Sequence, residues 1–476
     1  MSSPPSPDRP APRAPTLAED KITFGQRFAY GFGKASFTLG NTTVKQLAFP
    51  IYNITLGLSP TLVGLVLSIS RLWDAVTDPA MGSISDNART RWGRRRPFIV
   101  AGAILSALTF PLLWLAPQGG SQLFLFGYFL VTSLLFYTSF TVFSVPYLSF
   151  GYELTPDRRE RVRVYAVVAY VTMAFGLVWP WLYRFAQAEM FGGTMTGMRV
   201  QGVVLGVCFI LFALPCALFC RERFKHTTAK QQKFPLKQGI REALKNRPFA
   251  LIVGITTMTI AGTQMVNSLG IYVNSYYVFG GDTVKGATLG GLGAIVATVG
   301  SALSVPLAAY ASNRWGKHIV LSVCLSMGVL GSASKFFLFT PTYPWLQFVS
   351  LALSAPALAA MWMVIDPMKA DIADYDEYLT GMRREGLFAS VCNWVEKVAL
   401  TTVLLLSGVV LDVAGFDVAL GGDQTESTFF TIRLLFAGIP AAAMGFGLFL
   451  LSRYPLNEKR LDEIRATLEA RRGKAH

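Results

Sequence analysis

Charge is what this 476-residue chain has least of. Charged residues make up 15% of it and hydrophobic ones 52%, whereas soluble domains carry about 25% charged residues. A soluble globular domain is excluded. Histidine is scarce: His226, His318 and His476 stand far apart, and none lies near a cysteine at ligand spacing, so zinc chemistry has no ligand set. The five cysteines, Cys208, Cys216, Cys220, Cys324 and Cys392, all sit in apolar runs. They form neither a metal pattern nor a disulfide framework. No nucleophile–base pair, metal set or phosphate-binding loop stands out, so the chain does not read as an enzyme and implies no cofactor. Residues 1–20 are rich in Pro, Ser and Ala and have no apolar core. They read as a disordered cytoplasmic tail, not a cleavable signal.

What fills the chain instead is apolar runs of about 20 residues, long enough to cross a bilayer. Twelve spans are predicted, near 27–54, 60–84, 97–116, 122–153, 163–187, 199–220, 247–280, 284–311, 318–340, 343–373, 386–415 and 429–453. The net charge of +15 is carried by alternate loops: 85–97 holds five Lys or Arg and 221–247 holds nine. Further basic residues lie in 154–164, 312–317, 374–385 and the C-terminal tail, whereas the opposite loops hold Arg184, Arg199 and Lys285. Basic loops stay in the cytoplasm, which predicts a multi-pass protein of the cell (inner) membrane with both termini inside. No soluble module interleaves basic and stacking aromatic residues, so nucleic acid is not a partner.

The basic segment 221–247 divides the spans six and six. A repeat supports the division: Arg91-Trp92-Gly93-Arg94 follows the second span, and Arg314-Trp315-Gly316-Lys317 follows the eighth, 223 residues later. Two six-helix halves related by a repeat are the architecture of the major facilitator fold. The predicted organisation is a tail (1–20), an N-terminal bundle (21–220), a basic cytoplasmic linker (221–246), a C-terminal bundle (247–453) and an amphipathic tail (454–476). In that last segment Leu461, Ile464 and Leu468 recur at helical spacing among charges.

Asp74 and Asp78 lie inside the second span, four residues apart and so on one helix face. A carboxylate in hydrocarbon costs several kcal/mol, and acids within spans usually face a cavity and do work there. Two on one face suit a hard cation such as Na⁺, or a shared proton. Pro79 donates no hydrogen bond to the carbonyl of Ala75, which frees another oxygen nearby. The structural alternative pairs the two acids with Arg71 or with a lysine from another helix.

These stretches resemble one family. WDAVTDPAMG (73–82) and TRWGRRRPF (90–98) are similar to helix II and its following loop in the glycoside–pentoside–hexuronide:cation symporters, of which the melibiose permeases are best known. Tyr30-Gly31-Phe32-Gly33, VPYLSFGYELTPDRRERVR (145–163) and ADIADYDEYLTGMRREG (370–386), with Lys397 beyond, match in the same order. The resemblance implies a cation site of Asp74, Asp78 and Thr141. Thr77 stands where sodium-using melibiose permeases have asparagine, which leaves Na⁺, Li⁺ and H⁺ open. At the family's galactoside-clasping positions this chain has Thr38, Ser144 and Ala169, which does not support an α-galactoside. Trp362 and Lys397 match cavity-lining positions.

Further polar groups inside spans are Lys45, Gln46, Gln264, Asn267, Asp366, Asn393 and Glu396, with Trp73, Trp362 and Trp394 close in sequence. That mixture suits a sugar-like solute, with hydroxyls for the polar groups and C–H faces for the rings. Lys45 has two readings: it binds an acidic group on the solute, or it neutralises Asp74, Asp366 or Glu396. Asp86, Arg94 and Arg95 read as a structural and gating latch on the cytoplasmic face. The function expected is alternating-access symport of a glycoside, oligosaccharide or hexuronide with Na⁺ or H⁺. A rival is symport of a lysolipid or other amphipathic solute, because vertebrate lysolipid symporters look similar in helix II. A non-transporting receptor would need a signalling domain, for which the tails are too short.

Overall fold

A computed structural model describes residues 21–154, 158–220, 245–380, 385–456, 460–461, 463–464 and 467–468. Among them twelve helical rods follow one another: α1 Phe24–Ala48, α2 Pro60–Asn87, α3 Arg96–Leu112, α4 Gln122–Glu153, α5 Arg158–Val178, α6 Thr194–Phe219, α7 Arg247–Tyr272, α8 Thr283–Trp315, α9 Lys317–Leu338, α10 Gln347–Ala360, α11 Glu385–Val413 and α12 Glu426–Ser452. The predicted tail 1–20 and most of the linker 221–246 lie outside the described residues. Rod α5 is extended by a turn at Trp179–Trp181 and a short helix Leu182–Ala186. Rod α10 continues through a π turn, Met361–Ile365, into Asp366–Thr380.

Helix ends follow local chemistry. Thr23 and Gln26 form a capping box at the start of α1. Asn246, Asp282 and Thr425 cap α7, α8 and α12 with their side chains, each satisfying a backbone N–H that no helical carbonyl reaches. The repeat is structural as well: α1 and α7 both end in π turns, Phe49–Thr55 and Val273–Val278. Gly93 and Gly316 of the two Arg-Trp-Gly copies take φ of 110° and 87°. A side chain at either position would be strained, so the glycine of the motif makes the turn.

Nine of the described helices are long and apolar enough to cross a membrane. Of the rest, α1 and α2 carry Lys34, Lys45, Arg71, Asp74 and Asp78, and α3 is short. Outward-facing Leu108, Leu123, Val131, Leu211 and Leu307 are each more than half exposed, as a surface solvated by lipid requires. The chain is a multi-pass membrane protein.

The halves close at the end of the bundle away from the N-terminal segment, here the far end. One apolar cluster runs from α1, α3, α4 and α6 into Met265, Leu269 and Tyr272 of α7, whereas a separate cluster holds the other end of the C-terminal half. Leu461, Ile464 and Leu468 are buried in that second cluster. Across the far end the Tyr272 hydroxyl donates to Asn53 Oδ1 at 2.6 Å, and the Ser68 hydroxyl to the Thr401 carbonyl at 2.9 Å. Rods α2 and α11 touch backbone to backbone. A Cβ on Gly64 would lie 2.7 Å from the Leu404 carbonyl oxygen, and one on Gly408 2.2 Å from that of Pro60.

At the opposite end Glu160 ties the start of α1 to α5. It accepts from Ile22 N at 3.2 Å, Arg27 at 2.8 Å and Arg163 at 2.6 Å. Burial alone would raise its pKa, but these donors outweigh burial and hold it below the usual carboxylate range. Its stabilisation is therefore complete above the pKa of an ordinary glutamate and lost as pH falls through the lowered value. Glu160→Gln is expected to cost on the order of 2–3 kcal/mol near neutrality. Thermal unfolding followed from neutral to acid pH should show the gap between mutant and parent narrowing as pH falls.

Candidate functional site

Charged side chains of α1, α2 and α11 gather midway along the rods. Asp74 is 7% exposed. Arg71, three residues earlier on α2, donates to Asp74 Oδ2 at 3.0 Å. The same guanidinium reaches α1, where it meets the Asn41 carbonyl at 3.2 Å and Asn41 Oδ1 at 3.0 Å, and it lies over the Tyr137 ring of α4 at 5.1 Å. Asp78 faces the other half. Its Oδ2 accepts from Lys397 of α11 at 2.7 Å and its Oδ1 from the Thr141 hydroxyl of α4 at 3.1 Å. Thr77 lies 3.5 Å from Thr141, hydroxyl to hydroxyl, and donates to the Trp73 carbonyl at 3.1 Å. The Trp73 indole in turn donates to Thr138 at 2.8 Å. The structure thus brings Asp78, Thr77 and Thr141 together, with Asp74 one turn away within Coulombic reach of Arg71, Asp78, Lys397 and Lys45.

Both carboxylates already have a cation. The predicted structural pairing is present: Asp74 with Arg71, and Asp78 with a lysine from another helix. It does not close the site, because Asp74 Oδ1 is buried with no hydrogen-bond partner among the described residues. An orphaned carboxylate oxygen costs free energy unless something reaches it, and Na⁺ or a proton is what such an atom takes. Asp74 Oδ1, the Asp78 oxygens and the Thr141 hydroxyl are the donors that fit a hard monovalent cation.

Lys45 is different. Its ammonium meets only Asn41 Oδ1, at 3.4 Å, among the described partners, and the Arg71 cation and Asp74 lie within Coulombic reach of it. Two of the acids expected to neutralise it are held elsewhere: Asp74 by Arg71, and Glu396 by Lys369 at 2.9 Å. The neutralising pairs with Asp74 and Glu396 are not formed, because Arg71 and Lys369 reach those carboxylates first. The third, Asp366, has its side chain outside the described residues, as do Trp362, Asn393, Asn267 and Asp86.

Other expected residues are placed as follows. The Thr38 hydroxyl donates to the Lys34 carbonyl at 2.9 Å, within its own helix. Ser144 is buried on α4 one turn from Thr141. At the loop after α2, Arg95 is buried and Arg94 half-buried. Their neighbour Arg96 ties α3 to the end of α6 through the carbonyls of Ala217 and Leu218. In the second copy of the motif Lys317 forms an ion pair with Asp371 at 2.6 Å. Sequence reasoning missed Asn41. Its signal was available: it lies four residues before Lys45 and so on the same face of α1.

The profile of one family, described as MFS/sugar transport protein, matches residues 29–458. The chain belongs to that family. It is 24% identical to an uncharacterized symporter, sll1374, of Synechocystis sp. (strain ATCC 27184 / PCC 6803 / Kazusa), over 97% of this chain and 99% of the relative. It is 25% identical to a glucuronide carrier protein homolog of Escherichia coli (strain K12), over 88% and 90%. It is 22% identical to the sodium-dependent lysophosphatidylcholine symporter 1-A of Danio rerio, over 92% and 87%. The crystal structure of a bacterial homolog of the human lysosomal transporter Spinster superposes with a TM-score of 0.63 at 16% identity, covering 91% of this chain and 98% of that one. That likeness supports the major facilitator fold, two six-helix halves.

One pair tests the site directly. Arg71 and Asp74 are only 11% and 10% exposed, so Arg71→Met strands a carboxylate in a dry setting, at a cost of about 3–5 kcal/mol. Adding Asp74→Asn should return most of that loss. Thermal unfolding of the single and double variants in detergent measures it, and a double variant no more stable than Arg71→Met would mean that the pair is not coupled.

Proposed function

We propose that this secondary transporter carries a saccharide-like solute bearing an acidic group together with a monovalent cation, Na⁺ or H⁺. The observation behind it is the charge balance of the site. Among the described side chains three cations, Lys45, Arg71 and Lys397, face two carboxylates, Asp74 and Asp78, and both carboxylates are already bonded. Lys45 is the surplus cation, held by one amide oxygen. A cation within a membrane span and without a carboxylate is costly, and a solute anion placed against it removes the cost. The glucuronide carrier homolog supports the same class of solute.

On this reading the coupling ion competes with Lys397 for Asp78 and fills the open oxygen of Asp74. Lys397 belongs to one half and Asp78 to the other, so ion binding exchanges a bond between the halves for a bond within one of them. The solute binds beside it, and the halves rock about the site. The basic loops put the end bearing the N-terminal segment in the cytoplasm and the far end outside, in a cell (inner) membrane.

Uptake into proteoliposomes tests the reading, with a labelled glucuronide, an uncharged glycoside and a lysophospholipid offered under Na⁺ or proton gradients. Asp78→Asn should abolish gradient-driven accumulation while solute exchange persists. Lys45→Met should weaken the acidic solute by about 2–5 kcal/mol and leave the uncharged one nearly unaffected. Equal weakening of both would remove the anion reading, and transport of the lysophospholipid alone would replace the saccharide by an amphipathic solute.

A further inference from the structure

Asp412 lies one residue before the C-terminus of α11. A helix C-terminus carries partial negative charge and disfavours a carboxylate, whereas a helix N-terminus favours one. Asp412 has such an N-terminus in reach, and it belongs to the other half. Its Oδ2 accepts from the Ser59 hydroxyl at 3.0 Å and from the Thr61 backbone N–H at 3.1 Å. Ser59 is the N-cap residue of α2, yet its side chain makes no capping hydrogen bond there; its proton goes to Asp412 instead. Pro60 follows without an N–H, so Thr61 offers the first free donor of the helix. The α2 rod is therefore capped by the opposite half.

We propose that Asp412 is a positioning residue for transport, a cap in trans that holds the far end shut and is broken each time that end opens. Its interaction differs between the two states by construction. Closed, the carboxylate sits on the favourable end of α2; open, it is left on the unfavourable end of its own helix, while Ser59 and Thr61 lose their acceptor. The contact lies at the edge of the tight α2–α11 seam, four residues beyond Gly408. Water reaches it through a cleft of about 490 Å³ that Asn53, Ser59, Gln122 and Asp412 help to line, so the lost bonds can be replaced by solvent and the contact can reopen. The proposal requires only that the halves alternate, and it holds whatever the solute.

The test is the distance between spin labels at Gln118 and Asp423, exposed positions in far-end loops of the two halves. It is read by pulsed electron–electron resonance on the full chain in lipid nanodiscs. Asp412→Asn should raise the ratio of long to short distances about two- to five-fold, the range for an exposed charge at a helix terminus. Ser59→Ala, which keeps the charge, should move it the same way by less, and it serves where Asp412→Asn fails to fold. Asp412→Glu should restore the parent distribution. Unchanged distances in Asp412→Asn and Ser59→Ala, including the case in which thermal stability falls while the distances stay, would overturn the proposal.

Discussion

Charge inside hydrocarbon is the constraint on which this structure turns. An ion midway through a bundle must find a partner within it, because lipid supplies none. That requirement binds α1, α2, α4 and α11 to one another. Arg71 joins α2 to α1 through Asn41, Thr141 joins α4 to Asp78, and Lys397 joins the second half to the first. Apolar faces alone specify a placement weakly, since packing against lipid and packing against a helix are similar for them.

The contacts of rod α2 with α11 form a graded series. At the far end lies the exposed Asp412 cap, next the close backbone approach at Gly64 and Gly408, then Ser68 on the Thr401 carbonyl, and midway the Asp78–Lys397 pair. Exposed contacts of this kind are weak and reversible, while backbone approach depends on the absence of side chains. The small residues have the same part here as in other membrane helix pairs, where they let backbones meet.

Much of this was legible in the sequence. The Arg-Trp-Gly repeat could be read because a turn with positive φ demands glycine in both halves. The acids could be read because two aspartates in a span are conspicuous, and the Arg71 partner because it is three residues away. The rest rests on tertiary distance. Asp78 and Lys397 are 319 residues apart, and Asp412 with Thr61 351. No local pattern connects them. Asp412 was the least visible of all: an acid next to a loop looks like ordinary solvated surface, and only the position of the other half makes it a cap. The sequence leaves both meanings of Lys45 open, because they depend on which acids other cations reach first.

The same charge balance argues for the coupling. Among the described side chains Lys45, Arg71 and Lys397 are set against Asp74 and Asp78, one positive charge in excess. An entering cation alone raises that excess, which opposes its own binding. An acidic solute alone cancels it, but it must then bind without the cation that frees Lys397 from Asp78. Both together return the site to its starting charge, with Lys397 released to face the solute. On the proposed reading each ligand is then bound more tightly in the presence of the other, and by thermodynamic linkage the gain is the same in both directions. Symport of this kind needs no relay between distant sites. It follows from placing one surplus cation and one displaceable cation around two carboxylates in a medium that screens poorly.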